Sequence, residues 1–352
     1  MSGLSGASVL VVGGAGFVGS ALVRRLLAEG VAGVTIVDSF LSADRANVSD
    51  DPRVTLIAKS ITDESVLADL PSDLDYAWHL ACYHGNQSSI ADPLADHANN
   101  TLTSLKLFER LKDIKSLRKV VYAAAGCAVA EKTFDEAAAT KEDAPISLFH
   151  DSPYSISKLI GEFYGNYYFT RHGLPFVKAR FQNVYGPGEI LGAGQWRGTP
   201  HTVWRNVTPT FVFKALHSEA LPLDNGGQNT RDFIFVEDVA EGLIACALKG
   251  NPGEAYNIAS GAETTILELA DLIVREAGSI TPHAIQPPRD WDRSGRRHGD
   301  PTKSREHLGF AAHTSLNEGV ARTVAWTRAN MGLIKRCMAQ HRDRVPLGGY
   351  GV

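Results

Sequence analysis

The chain has 352 residues, 44% hydrophobic and 21% charged, enough apolar material for one large domain or two smaller ones. Its formal net charge of −4 supplies no global basic field, which argues against a nucleic-acid partner. The four cysteines, Cys82, Cys127, Cys246 and Cys337, form no CxxC pair and no apolar run is long enough for a bilayer, so a cytoplasmic protein without metal, disulfide framework or membrane partner is expected.

In the first half, short β-branched runs alternate with helical patterns. Val9–Val12, Val34–Val37, Val54–Ile57, Tyr76–Leu80 and Lys119–Tyr122 are apolar with little alternation, as parallel strands buried on both faces should be. Between them, Ser20–Glu29, Asp63–Leu70 and Ala98–Leu111 carry apolar residues at helical spacing. A further helix begins near Pro153, and a strand follows at Pro175–Arg180. Strands alternating with helices predict an α/β fold built on a doubly wound parallel sheet.

The texture changes after residue 181. Tyr185–Pro209 is rich in Gly and Pro and reads as a long loop, a kind of segment that is often functional. Phe211–His217, Val239–Leu248, Leu267–Glu276 and Leu316–Asn330 read as helices, Asp232–Val236 and Ala255–Ile258 as short strands. Trp291–Gly299 is basic and irregular, and the Gly-rich tail from Val345 is expected to fray.

Gly13, Gly14, Gly16 and Gly19 follow the first predicted strand and open the first predicted helix. Glycines allow a tight turn and close backbone approach to a dinucleotide pyrophosphate, which then meets the unpaired N–H groups of the helix start. Asp38 ends the second strand at the spacing of a ribose-binding carboxylate, which favours NAD; Arg45 nearby keeps NADP as the lesser alternative. Further on, Tyr154 and Lys158 stand one helical turn apart behind Pro153, a residue suited to a first turn. A phenol is too weak a base near neutrality unless its pKa is lowered, and an ammonium on the same helix face can do that while also holding the nicotinamide ribose.

As a set, these motifs make the chain resemble an extended short-chain dehydrogenase/reductase of the nucleotide-sugar epimerase/dehydratase family, with UDP-galactose 4-epimerase the familiar example. The likeness covers nearly the whole chain. It includes His79-Leu80-Ala81, Asn100-Thr101, Arg180-Phe181-Gln182-Asn183-Val184-Tyr185-Gly186-Pro187, Thr230 to Val239 and Leu308-Gly309-Phe310. The resemblance implies a Rossmann-type NAD-binding domain, 1–181 with returning segments near 232–258, and a smaller mixed α/β C-terminal substrate lobe, 182–231 and 259–345, before a flexible tail at 346–352. It also implies a homodimer formed by two helices. Besides Gly13, Gly16, Gly19 and Asp38, it assigns Phe17, Val18, Ser60, Ile61, Leu80, Ala81 and Asn100 to the cofactor. On the substrate side it implies Asn183 near the diphosphate and Arg231 on a phosphate, with Arg289 as a second phosphate or ribose contact. Trp196, Arg197, Trp204, Arg205 and Asn206 lie where relatives line the nucleotide pocket, so stacking on a base and clasping of phosphates are expected there. His84 is a candidate for sugar contact or proton transfer.

One position departs from the family pattern. Ala125 falls where the last residue of a Ser/Thr-rich turn normally presents a hydroxyl to the reacting sugar oxygen. Cys127 or Ser152 could replace it, Tyr154 could act alone, or the natural residue could have been changed. The following Gly126-Cys127 carries no carboxylate, which disfavours the dehydratase and decarboxylase branches. Epimerisation by transient oxidation, at C4 of the sugar, is the leading expectation. A net dehydrogenase or reductase and a catalytically silent NAD or sugar-nucleotide binder are the alternatives.

Overall fold

The structure, a computed structural model, describes residues 3–130, 133, 135, 138–292, 295–347 and 350. The first part of the chain runs β1 (Ser8–Val12), α1 (Phe17–Ala28), β2 (Gly33–Val37), β3 (Val54–Ile57), α2 (Glu64–Asp69) and β4 (Tyr76–His79). It continues with α3 (Asn86–Ala91), α4 (Pro93–Asp96), α5 (Leu102–Leu111), β5 (Lys119–Ala125), α6 (Pro153–His172) and β6 (Phe176–Phe181). The second part holds β7 (Asn183–Tyr185), α7 (Val207–Leu216), β8 (Leu221–Asp224), β9 (Thr230–Arg231), β10 (Phe233–Phe235) and α8 (Val236–Lys249). It closes with β11 (Ala255–Ile258), β12 (Thr264–Thr265), α9 (Ile266–Ala277), β13 (His283–Gln286), α10 (Leu316–Ala329) and α11 (Met331–Ala339).

Among the described residues, seven strands form one parallel sheet in the order β11-β6-β5-β4-β1-β2-β3. The inner strands bury both faces, which is why they read as unbroken apolar runs, while edge strand β3 stays partly exposed. Val9, Val11, Trp78, Val121 and Val177 face one helical layer, against Leu22 and Leu26 of α1 and Leu243 of α8. Leu10, Val12, Tyr122 and Phe176 face the other, against Leu107 and Phe108 of α5. The strand order reverses between β1 and β4, so a crevice opens at their carboxyl ends, the usual ligand position in such sheets.

A second core gathers Tyr185, Phe211, Leu221, Phe233, Leu269, Ile273, Val320 and Val324 around two-stranded pairs β7·β10 and β8·β13, both parallel. The helix α9 starts on a capping box between Thr265 and Glu268. The expected flexible tail is corrected by the structure: Val345, Leu347 and Tyr350 are buried against Phe213, Ile334 and Met338. Residues 348, 349, 351 and 352 of that tail, and Arg293 and Ser294 of the irregular basic segment, lie outside the described residues.

Candidate active site

The cofactor end is built by the turn between β1 and α1. Gly13 has a φ of +87°, and a Cβ there would lie 2.5 Å from the Ala81 backbone nitrogen across the crevice. A Cβ at Gly19 would lie 2.1 Å from the Gly13 carbonyl oxygen. The turn therefore lies against the end of β4, and α1 begins at Gly16 with no side chain capping its N–H groups. Asp38 accepts from the Ala15 N–H at 3.0 Å and the Phe40 N–H at 2.9 Å, so its carboxylate joins the turn to the loop after β2. Burial raises its pKa, against the backbone N–H groups of Phe40, Ala15 and Gly16. This cradle of backbone N–H groups and a carboxylate at the second strand end fits NAD. The Arg45 guanidinium sits 5.0 Å above the Phe40 ring. Ser60 shares a 2.8 Å hydrogen bond with Thr62, beside buried Ile61.

Helix α6 brings in the phenol and ammonium. Ser152 caps it by accepting the Ser155 N–H and donates its own hydroxyl to Asn86 Oδ1 at 3.1 Å, so it is not available to replace the hydroxyl missing at Ala125. The Tyr154 N–H donates to Ser89 Oγ at 3.1 Å, which fixes the first turn against α3. Lys158 is buried and donates to the Ala123 carbonyl at 2.9 Å, with Nζ 5.8 Å from the Tyr154 ring centroid. Tyr154, Ala125 and Cys127 share one small apolar cluster. Lys158 was expected to lower the phenol's pKa, and in the protein alone burial acts in the opposite direction. Burial pushes Tyr154 well above the usual phenol value, reinforced by Cys82, Cys127, Tyr122 and Asp96.

His84 packs edge-on against Tyr154, ring centroids 5.9 Å apart. Burial, then the charges of Arg197, Arg205 and Lys158, hold its imidazole at about 3, so it is neutral here. Asn100, expected at the cofactor, spends its amide on protein. Its Oδ1 accepts the Tyr83 N–H at 2.6 Å, and its Nδ2 donates to Asp96 at 2.7 Å and Ser157 at 3.1 Å. It positions the loop carrying His84.

Several expected substrate contacts are otherwise engaged. Arg205 is turned inward and donates to the carbonyls of Ser42, at 2.7 Å, and Ala193. Asn206 donates to Glu189, and Arg197 donates to the His84 carbonyl at 2.8 Å. Trp196 packs beside His341 and Trp204 against Phe213 and Tyr350, so both indoles hold the C-terminal segment in place of a base. Arg231, expected on a phosphate, is buried and pairs with Asp292 at 2.8 Å. Arg289 does line a cavity of about 580 Å³ with Gln87, Thr199, His201 and Trp291, while pairing with Asp224. Asn183 remains exposed on β7, next to the carboxyl end of β6.

Glu189 is a buried acid that sequence reading passed over. Its Oε1 accepts from Asn206, and its Oε2 has no hydrogen-bond partner among the described residues. Burial pushes it up to about 7, against the Asn206 hydrogen bond and the Arg205 charge. Between its ordinary 4.5 and 7 the folded chain holds a proton that the unfolded chain has lost, so stability falls as pH rises through that window. Relative to Glu189→Gln, the wild type is expected to lose on the order of 3 kcal/mol from pH 4.5 to 8, measured by urea unfolding.

The NAD dependent epimerase/dehydratase family model matches residues 9–259. The UDP-glucose 4-epimerase of Mycolicibacterium smegmatis is 31% identical over 324 residues, 91% of this chain and 98% of that protein. A dTDP-glucose 4,6-dehydratase of Streptomyces antibioticus is 30% identical over 92% of this chain and 93% of its own length. Among solved structures, the Bordetella bronchiseptica enzyme WbmF in complex with NAD+ and UDP is 56% identical, with a TM-score of 0.88, covering 97% of this chain and 98% of that one.

Proposed function

This chain belongs to the NAD dependent epimerase/dehydratase family, and from that membership we infer that it is an NAD-dependent nucleotide-sugar epimerase. The observation that carries the reading is the Tyr154–Lys158 pair, set by α6 beside the end of β5, which lies two strands from β1 and its glycine turn in the parallel sheet. NAD, held by the glycine turn and Asp38, would supply the acceptor and donor of a hydride at a sugar carbon, C4 in this reading. Tyr154 removes the proton of the hydroxyl on that carbon and gives it back. Lys158, anchored on Ala123, holds the cofactor ribose and adds a positive charge that favours the phenolate. Asp38 binds the adenosine ribose, and the N-terminus of α1 the pyrophosphate.

Elimination of water would need a carboxylate beside the sugar, and the residues after β5 are Gly126 and Cys127. That favours epimerisation over the chemistry of the dehydratase relatives. The UDP held by WbmF and the UDP-sugar of the mycobacterial relative favour a UDP-hexose. Asn183, exposed on β7, and Arg289, on the cavity it shares with Gln87 and Trp291, are the proposed substrate contacts. The residues around the second core would form the substrate lobe.

Exposed Ile156, Phe163 and Tyr167 along α6, at 46%, 53% and 53%, support a homodimer formed through that helix. Among the described residues no helix is long and apolar enough to cross a membrane, in keeping with a proposed cytoplasmic location.

The test is incubation with UDP-, GDP-, CDP- and dTDP-hexoses and resolution of products by NMR. A C4 epimer at constant NAD is the expected product. A ketosugar formed with stoichiometric NADH would identify a dehydrogenase, and a 4-keto-6-deoxy sugar a dehydratase.

A further inference from the structure

Ala125 pairs with Phe181 across the β5–β6 ladder, so Gln182 stands just beyond the carboxyl end of β6, beside Gly126. An ideal Cβ on Gly126 would lie 2.2 Å from Gln182 Nε2, 2.7 Å from Cδ and 2.8 Å from Oε1, so the whole amide rests against that glycine. On another side, a Cβ on Gly299 would lie 2.8 Å from the same nitrogen. Two glycines thus leave a slot for one polar head, at the end of β5 where Ala125 shares a cluster with Tyr154. Gln182 is partly exposed, and its amide makes no hydrogen bond to protein among the described residues. A primary amide carries two N–H donors and one acceptor, so this one retains its full capacity for a ligand.

We propose that Gln182 contacts the reacting sugar oxygen in place of the hydroxyl that Ala125 lacks, its amide N–H donating to that oxygen as it becomes a carbonyl. The inference rests on the epimerase reading and names a further catalytic residue within it. An amide neither gains nor loses a proton in this range, so proton transfer stays with Tyr154 and Gln182 acts by stabilising developing charge. The arrangement also accounts for glycine at 126, where any side chain would displace the amide from its slot.

The test compares Gln182→Met, which keeps length and shape between the two glycines but has no amide, with wild type and with the double variant Ala125→Ser/Gln182→Met. The assay uses whichever UDP-hexose the wild type epimerises. In Gln182→Met kcat should fall about a hundredfold, with KM, bound NAD and the pH profile of kcat unchanged. Ala125→Ser should restore about tenfold of that loss, which a merely structural role for Gln182 would not allow. A Gln182→Met enzyme within about threefold of wild-type kcat overturns the proposal, as does a hundredfold loss in Cys127→Ala with Gln182→Met unaffected. A wild type that epimerises none of the sugars removes the functional reading and this role with it. An active wild type matched by Gln182→Met removes this role alone.

Discussion

Tyr154→Phe should lower kcat by about 10²–10⁴-fold while the purified protein keeps its NAD. The substitution removes one oxygen and leaves the ring that packs against His84 and the apolar cluster around Ala125. Lys158 keeps its bond to the Ala123 carbonyl, so the cofactor side of the site is undisturbed. The loss should therefore fall on the chemical step, in kcat and kcat/KM together. The wild-type rate should climb with pH, because the phenolate is the base and burial raises the phenol's pKa in the protein alone. That rise should vanish in Tyr154→Phe. Rates and pH profiles measured on the same UDP-hexose, with bound NAD read by its absorbance after denaturation, check both points. Unchanged turnover in the variant would remove Tyr154 from the acid/base role.

The features legible in the sequence are those set by local pattern. Apolar strands in a parallel sheet leave unbroken apolar runs, so β1 to β6 stand out within one residue of their observed ends, except that β5 runs three residues further, to Ala125. The glycine turn, Asp38 and the Tyr154–Lys158 spacing are equally local. Helices α3 and α4 escaped notice because Asn86-Gln87-Ser88-Ser89 is polar; two of its serines are nonetheless buried, and Ser89 takes the Tyr154 N–H. Strands β8 and β13 are short and half-exposed, and pair only with each other.

The arginines show a different limit. Arg205 carries the residue type of a phosphate clamp, yet it donates to the carbonyl of Ser42, 163 positions away. Nothing local distinguishes a guanidinium aimed at a ligand from one that ties two loops together. Arg231 and Arg197 are the same case. Gln182 is the reverse. It stands within the Arg180–Pro187 motif with no role attached to it there, and only the β5–β6 register brings its amide beside Gly126 and the site of the missing hydroxyl. Long-range pairing engages several of the expected ligand contacts with protein groups and brings the Gln182 amide beside the end of β5.

Glu162→Gln should destabilise the fold by about 3–5 kcal/mol in urea unfolding. Tyr154, Lys158 and Glu162 recur at helical spacing on the face of α6 turned to the sheet, and Glu162 meets Arg180 of β6 there. The guanidinium donates to both carboxylate oxygens, at 2.9 and 2.8 Å, and to the Glu142 carbonyl at 2.8 Å. Both side chains are nearly dry, 6% and 4% exposed, so each charge is compensated mainly by the other. Glutamine keeps the shape and one acceptor, which leaves Arg180 buried with its charge unopposed. A cheaper explanation, loss of packing alone, is separated by the double variant Glu162→Leu/Arg180→Met. Removing both charges should return most of the stability, because the cost of drying the pair nearly offsets its attraction. If the double variant stays as unstable as Glu162→Gln, the pair acts instead through the hydrogen bond to Glu142, which ties the segment leading into α6 to the sheet.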